Sequence, residues 1–187
     1  MGRNSSNMGF AKPGLMEIKE ENNIGIISIR YHSKDDLGDN KTLGLRGLEI
    51  PKPNQILVSD KGSLAWMSTD ECWFIVKKNQ VKKTLKDLLT EYDNKNSIAI
   101  DISASRAVLS IKGALWRNVI AKGCPADLSD SSLRPGNIRR TRLGLVSVAI
   151  WCQNIDHAFV VCNRSVKDYL LDWVESASLE GTIPKFY

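Results

Sequence analysis

Few residues in this 187-residue chain are of types that commonly do chemistry, and their spacing limits what they can do. A hydrolytic serine or cysteine needs a base beside it, usually a histidine. Only His32 and His157 are available, and His157 falls between two strand-like runs, where a polar turn residue is expected. Asp70 and Glu71 are adjacent in a polar loop, so their carboxylates diverge rather than face each other across a substrate. Asp101 lies opposite the isoleucines of its strand, next to Ser103 and Ser105, which predicts a turn-capping role. The cysteines, Cys72, Cys124, Cys152 and Cys162, are scattered without a CxxC pair. That spacing argues for small buried thiols over a zinc site. No GxGxxG opens a helix and no GxxxxGK[ST] loop is present, so the usual cradles for dinucleotides and nucleoside triphosphates are missing. The expected catalytic, cofactor-binding and metal-binding residues on this chain are therefore none.

The strongest charge signal is Arg134, Arg139, Arg140 and Arg142. On an extended strand Arg140 and Arg142 share a side and Arg139 points opposite. Three readings stay open: solvated or internally bonded arginines, a protein–protein contact, and an anion or nucleic-acid site. No aromatic stacking pair is interleaved with the cluster, which disfavours single-strand binding. The four arginines stand as the candidate partner interface.

These residues are carried by elements with clear periods. Ile24–Tyr31 alternates as a strand, and Ser63–Met67 with Cys72–Val76 predicts a hairpin closed by a longer loop or a bulge. Gln80–Tyr92 follows as a helix with Val81, Leu85, Leu88 and Tyr92 on one stripe. Ser97–Ile102 and Arg106–Ile111 read as two strands joined by a short Ser-Ala-Ser turn, followed by a helix over Gly113–Lys122. Gly123 is expected to end that helix at positive φ. Ile138–Trp151 reads as one long strand paired with Ala158–Cys162. Ser165 is the expected N-cap of a last helix whose stripe is Val166, Tyr169, Leu170, Trp173, Val174 and Ala177.

The resulting fold class is α+β: a single compact domain of antiparallel β-hairpins, each followed by a helix. Residues 1–22 are expected to be a flexible N-terminal tail, with Met8, Phe10, Leu15 and Met16 as apolar handles, and residues 23–187 the domain. Residues 33–42 form a polar, turn-rich loop in this reading. A chain of this size buries roughly 70% of its unfolded surface and needs no disulfide or metal to hold a core. The net charge of +5 permits an acidic partner without requiring nucleic acid. No apolar run approaches the ~20 residues that span a bilayer, and the N-terminus has no secretory h-region, so a cytoplasmic location is expected.

Several segments, in order, resemble the gamma subunit family of heterotetrameric sarcosine oxidase. They are Leu45-Arg46-Gly47, Trp66 to Trp73 with Asp70-Glu71 inside, Asp101-Ile102-Ser103, Gly113-Ala114-Leu115, and Cys124 to Ser129. Pro135-Gly136, Arg140-Thr141 and Arg164-Ser165 complete the series, which covers residues 43–177. The hairpin departs from the family pattern by Ser68-Thr69 in place of Gly-Pro, and by one extra residue, Cys72, before Trp73. The resemblance implies a domain similar to the folate-binding domain of glycine-cleavage aminomethyltransferases. It implies a non-catalytic subunit that assembles with alpha, beta and delta subunits, chiefly alpha. FAD, FMN, NAD and tetrahydrofolate would then belong to the partner subunits, and the complex would demethylate sarcosine oxidatively. A stand-alone folate-binding domain is the alternative.

Overall fold

The computed structural model describes residues 10–11, 16–31, 49–91, 97–179, 181–184 and 186–187, and eleven strands among them form two antiparallel sheets. The strands are β1 (Phe10–Ala11), β2 (Glu17–Glu20), β3 (Ile24–Tyr31), β4 (Ile56–Ser59), β5 (Gly62–Ser68) and β6 (Glu71–Lys77). After helix α1 (Val81–Glu91) come β7 (Ser97–Asp101) and β8 (Arg106–Lys112), then helix α2 (Trp116–Ala121). The chain ends with β9 (Ile138–Leu143), β10 (Val146–Asn154), β11 (His157–Asn163) and helix α3 (Lys167–Ala177). One sheet has the order β1-β2-β8-β11-β10-β9 and the other β4-β5-β6-β3-β7.

Three apolar layers follow from the period of two along each strand. Between the sheets, Ile26, Ala65, Trp73 and Ile75 meet Val108, Ile138, Ala149, Trp151 and Val161. The opposite face of the second sheet packs Ile27, Ile29, Leu64 and Phe74 under Val81 and Leu88 of α1. The opposite face of the first sheet packs Leu109, Ile111, Ile150 and Val160 under Trp116, Val119 and Ile120 of α2 and Leu170 and Val174 of α3. Each fully buried aliphatic side chain contributes about 1.5–3 kcal/mol. The order of layers is helix, sheet, sheet, helix, with the expected α+β antiparallel character.

Several sequence readings change. Part of the expected tail is strand: Glu17–Glu20 pairs with β8, and Met16 and Ile18 pack on the helix-side core of that sheet. A four-residue strand is too short for its alternation to stand out against polar Glu17, Lys19 and Glu20, and the pairing supplies what the pattern lacks. The strands flanking Ser103–Ser105 are not a hairpin, because β7 joins β3 in one sheet and β8 joins β2 and β11 in the other. The long strand over 138–151 is itself a hairpin. Gly144, at φ 59°, begins the two-residue loop between Leu143 and Val146. Gly123 does not adopt positive φ. A Cβ there would lie 2.4 Å from Trp173 Cζ2 and 3.0 Å from Gly144 N, so close packing against α3 demands the glycine. Ser165 caps nothing, since it sits in a 3-10 turn and α3 starts two residues later. The hairpin of β5 and β6 closes with the expected bulge, between Trp66 and Ser68. The loop at 33–42, Leu45-Arg46-Gly47, His32 and Tyr92 lie outside the described residues.

Candidate functional site

The arginine cluster is built on β9, whose register with β10 sets Arg140 opposite Ala149, Arg142 opposite Ser147 and Arg139 opposite Ile150. Arg140 and Arg142 therefore share the side that carries Ile138, toward the other sheet, and Arg139 takes the helix side. Arg139 is used internally: Nη2 donates to Ser132 O at 2.6 Å and Ser132 Oγ at 3.0 Å, and Nη1 to Ile138 O at 3.1 Å. Arg140 is exposed, yet its Nη1 donates to Met67 O on β5, tying one sheet to the other. Arg134 and Arg142 are exposed. The structure thus splits the four: two brace loops and sheets, and two present their guanidinium groups to solvent.

The other described polar residues singled out by type are engaged in structure. Glu71 Oε1 accepts from Ser28 Oγ at 2.7 Å and Trp73 Nε1 at 2.8 Å, and Oε2 faces Arg30 Nη2 at 3.4 Å. Asp70 instead accepts from Ser68 Oγ, a bond that holds its carboxyl below the usual carboxylate range. The two carboxylates diverge as expected. Asp101 Oδ1 accepts from Ser103 N at 2.9 Å and Ser103 Oγ at 2.6 Å, the turn cap its position predicts. All four cysteines are buried and form no disulfide, and burial pushes Cys152 and Cys162 up from the usual thiol range, which keeps them protonated and unreactive.

His157 opens β11, and its Nε2 lies 2.8 Å from Ser110 Oγ while its ring tilts against Phe159. Burial, with help from Lys112, pushes the imidazole below its ordinary range, so it is neutral at pH 7. A serine–histidine contact can activate a nucleophile. Ser110, however, is 1% exposed, which leaves a substrate carbonyl no approach. The contact serves to satisfy a buried hydroxyl.

Sequence reasoning missed the most elaborate charge cluster because it assigned Glu20 to the tail. Glu20 Oε1 meets Arg164 Nη1 at 2.8 Å, and Oε2 meets Lys167 Nζ at 2.9 Å. Arg164 also donates to Ala104 O at 3.1 Å and Arg106 O at 2.6 Å. Burial works against the Glu20 charge, but hydrogen bonds from Arg164 and Lys167 outweigh it and hold the carboxyl below its ordinary range. The cluster pins the end of β2 to the crossover between β7 and β8 and to the start of α3. A second unforeseen group is Arg117, buried over the Trp116 ring, with Nη2 2.8 Å from Asp130 Oδ1 and Nη1 donating to Leu128 O. No local sequence signal marks it, since its partners come from the loop after α2.

Among the described residues no three His, Cys, Asp or Glu side chains converge as metal ligands. An open groove of about 510 Å³ lies over α1, lined by Lys82, Leu85, Lys86, Leu89 and Thr90. All five come from one helix, whereas ligand sites gather polar groups from separate elements. No helix among the described residues is long and apolar enough to cross a membrane.

Residues 40–180 match the family described as sarcosine oxidase, gamma subunit. Among curated proteins, the sarcosine oxidase subunit gamma of Corynebacterium sp. (strain P-1) is 23% identical over 118 residues, covering 63% of this chain and 57% of the relative. That of Arthrobacter sp. is 24% identical over 122 residues, 65% of this chain and 59% of the relative. The matches thus span less than three fifths of these relatives' length. Among solved structures, a chain of the heterotetrameric sarcosine oxidase from Corynebacterium sp. U-96 superposes with a TM-score of 0.79 at 19% identity, covering 92% of this chain and 88% of that one. The glycine cleavage system aminomethyltransferase T from Bartonella henselae gives 0.63 at 11% identity, over 87% of this chain and 46% of that one. At these identities the likeness is one of fold.

Proposed function

The chain belongs to the sarcosine oxidase gamma subunit family, and from that premise we propose that it is a non-catalytic subunit which assembles and stabilises a heterotetrameric sarcosine oxidase. The reaction assigned to the complex is oxidative demethylation of sarcosine to glycine and peroxide, with tetrahydrofolate accepting the one-carbon unit. Alpha, beta and delta subunits are its partners, alpha chiefly, and they carry FAD, FMN, NAD and folate. The observation that supports this reading is the structural engagement of the described acid–base groups singled out by type. Glu71, Asp101 and His157 each hold a turn, a strand or a buried hydroxyl in place, and the thiols are buried. Arg134 and Arg142, with Arg140 beside them, remain candidate contacts for an acidic patch on a partner.

Co-expression with the three other subunits is the test. The chain is expected to co-purify with alpha and, purified alone, to be colourless and inactive toward sarcosine. Flavin-dependent oxidase activity from the isolated chain would refute the proposal. Calorimetric titration of the isolated chain with a reduced folate is expected to give no binding. Micromolar affinity would favour a stand-alone folate-binding domain instead.

A further inference from the structure

Strand β7 ends its sheet: it pairs with β3 on one side, and among the described residues no strand or backbone hydrogen bond meets the other. Which backbone groups face outward follows from one bond, Ile102 N to Ile26 O at 3.0 Å. Bonded and non-bonded pairs alternate along an antiparallel ladder. With Ser28 opposite Ile100 and Arg30 opposite Ile98, these two isoleucines turn their amides toward β3. Ser97, Ala99 and Asp101 turn their N–H and C=O groups to the open side.

The side chains of this edge are apolar as well. Ile98 is 50% and Ile100 49% exposed, side by side on the face away from α1. Proteins blunt sheet edges with lysine, proline, arginine-bearing strands or extreme shortness. The other described edges follow that rule: β9 carries three arginines, and β4 has four residues, with Gln55 just before it bridged to Asn137. The sequence Ser-Ile-Ala-Ile-Asp of β7 has no lysine, arginine or proline, and its one charge, Asp101, stands at its last position.

We propose that the open side of β7 is a docking edge for an extended segment of a larger subunit, added as a further strand with apolar residues laid against Ile98 and Ile100. The proposal rests on the gamma-subunit reading and names its surface. Unpaired ladder groups at alternate residues select an extended backbone over a helix. A second copy of this chain fits poorly. Pairing of two β7 strands about Ala99 would draw together two α1 helices, which lie over β7 and β3, each exposing Lys82, Lys83 and Lys86. The same lysines favour acidic residues flanking the docked segment.

The experiment compares hydrogen exchange in the isolated chain and in the complex co-expressed with alpha, beta and delta. The Ala99 and Asp101 amides are expected to exchange at least about tenfold more slowly in the complex. The double variant Ile98→Lys/Ile100→Lys is expected to keep its thermal midpoint and circular dichroism while its recovery with alpha falls about tenfold or more. Should that variant misfold, the wild-type exchange result decides alone. Unchanged exchange at Ala99 and Asp101 in a complex that does form overturns this surface and leaves the gamma-subunit reading standing. A homodimer with those amides protected overturns it too. Failure of the wild-type chain to co-purify with any subunit overturns both.

Discussion

Strands β7 and β8 are neighbours in the chain, separated by four residues, and both alternate with branched aliphatics, yet they meet opposite fates. In β8 the alternate residues Ala107, Leu109 and Ile111 are sealed under α2 and α3, and Val108 is sealed between the sheets. In β7 only Ala99 is buried, under α1, while Ile98 and Ile100 stand half in solvent. The difference comes from position in the sheet. β8 lies between β2 and β11, whereas β7 has a neighbour on one side only. Aliphatic content alone therefore does not mark a core strand. A central strand uses its isoleucines for stability, and an edge strand leaves them available for a partner.

Substitutions can break this contrast or sharpen it. The largest effect is expected from Leu109→Ala in β8, a loss of about 3 kcal/mol in urea unfolding, since the side chain is fully buried and its cavity cannot close. A loss under ~1 kcal/mol would mean that β8 is no more central than β7. Next is Ser103→Ala at the crossover between the two strands. Ser103 Oγ accepts Ile26 N at 2.9 Å, and losing it strands that amide at a cost of about 1–2 kcal/mol by the same measurement.

Glu20→Gln, at the β2 side of β8, is expected to cost about 1 kcal/mol at pH 7 and to change the pH profile. The folded pKa of Glu20 lies below its unfolded value near 4.5. Its contribution is therefore fully present above pH 4.5 and disappears as pH falls through the folded pKa. The variant should lose less stability than wild type over that acid window, and parallel curves would remove Glu20 from the account. The smallest effect is expected from Ile98→Thr in β7, within about 0.5 kcal/mol, because the position is half exposed and threonine keeps the branched shape that strands favour. A loss comparable to that of Leu109→Ala would show that the β7 edge is covered within the chain itself.

Much of this was legible from local pattern. The alternation of Ile24–Tyr31 gave β3, Leu170, Val174 and Ala177 of the last stripe gave the buried side of α3 although Tyr169 of that stripe is exposed, and Asp101 before Ser103 gave the turn cap. The opposed directions of Arg139 and Arg140 also followed from strand geometry, and β9 pairs as that requires. The charge cluster of Glu20, Arg164 and Lys167 was not legible, because Glu20 lies more than 140 residues from the other two and only sheet pairing brings them together. Gly123 was recognised as special for the wrong reason. Its constraint is the Trp173 ring from a helix far along the chain, not its own φ.

The sequence by itself determined which residues share a side of each strand or helix, that the thiols would be buried, and that the carboxylates at 70 and 71 would not converge. Only the tertiary structure decided which strands join which sheet, and hence which of two equally aliphatic sides is covered. The physical reason is that alternation is a local property with a period of two residues, set by the backbone itself. Coverage depends on pairings between distant segments, such as Glu17–Glu20 with β8 and Ser97–Asp101 with β3, that no local window contains.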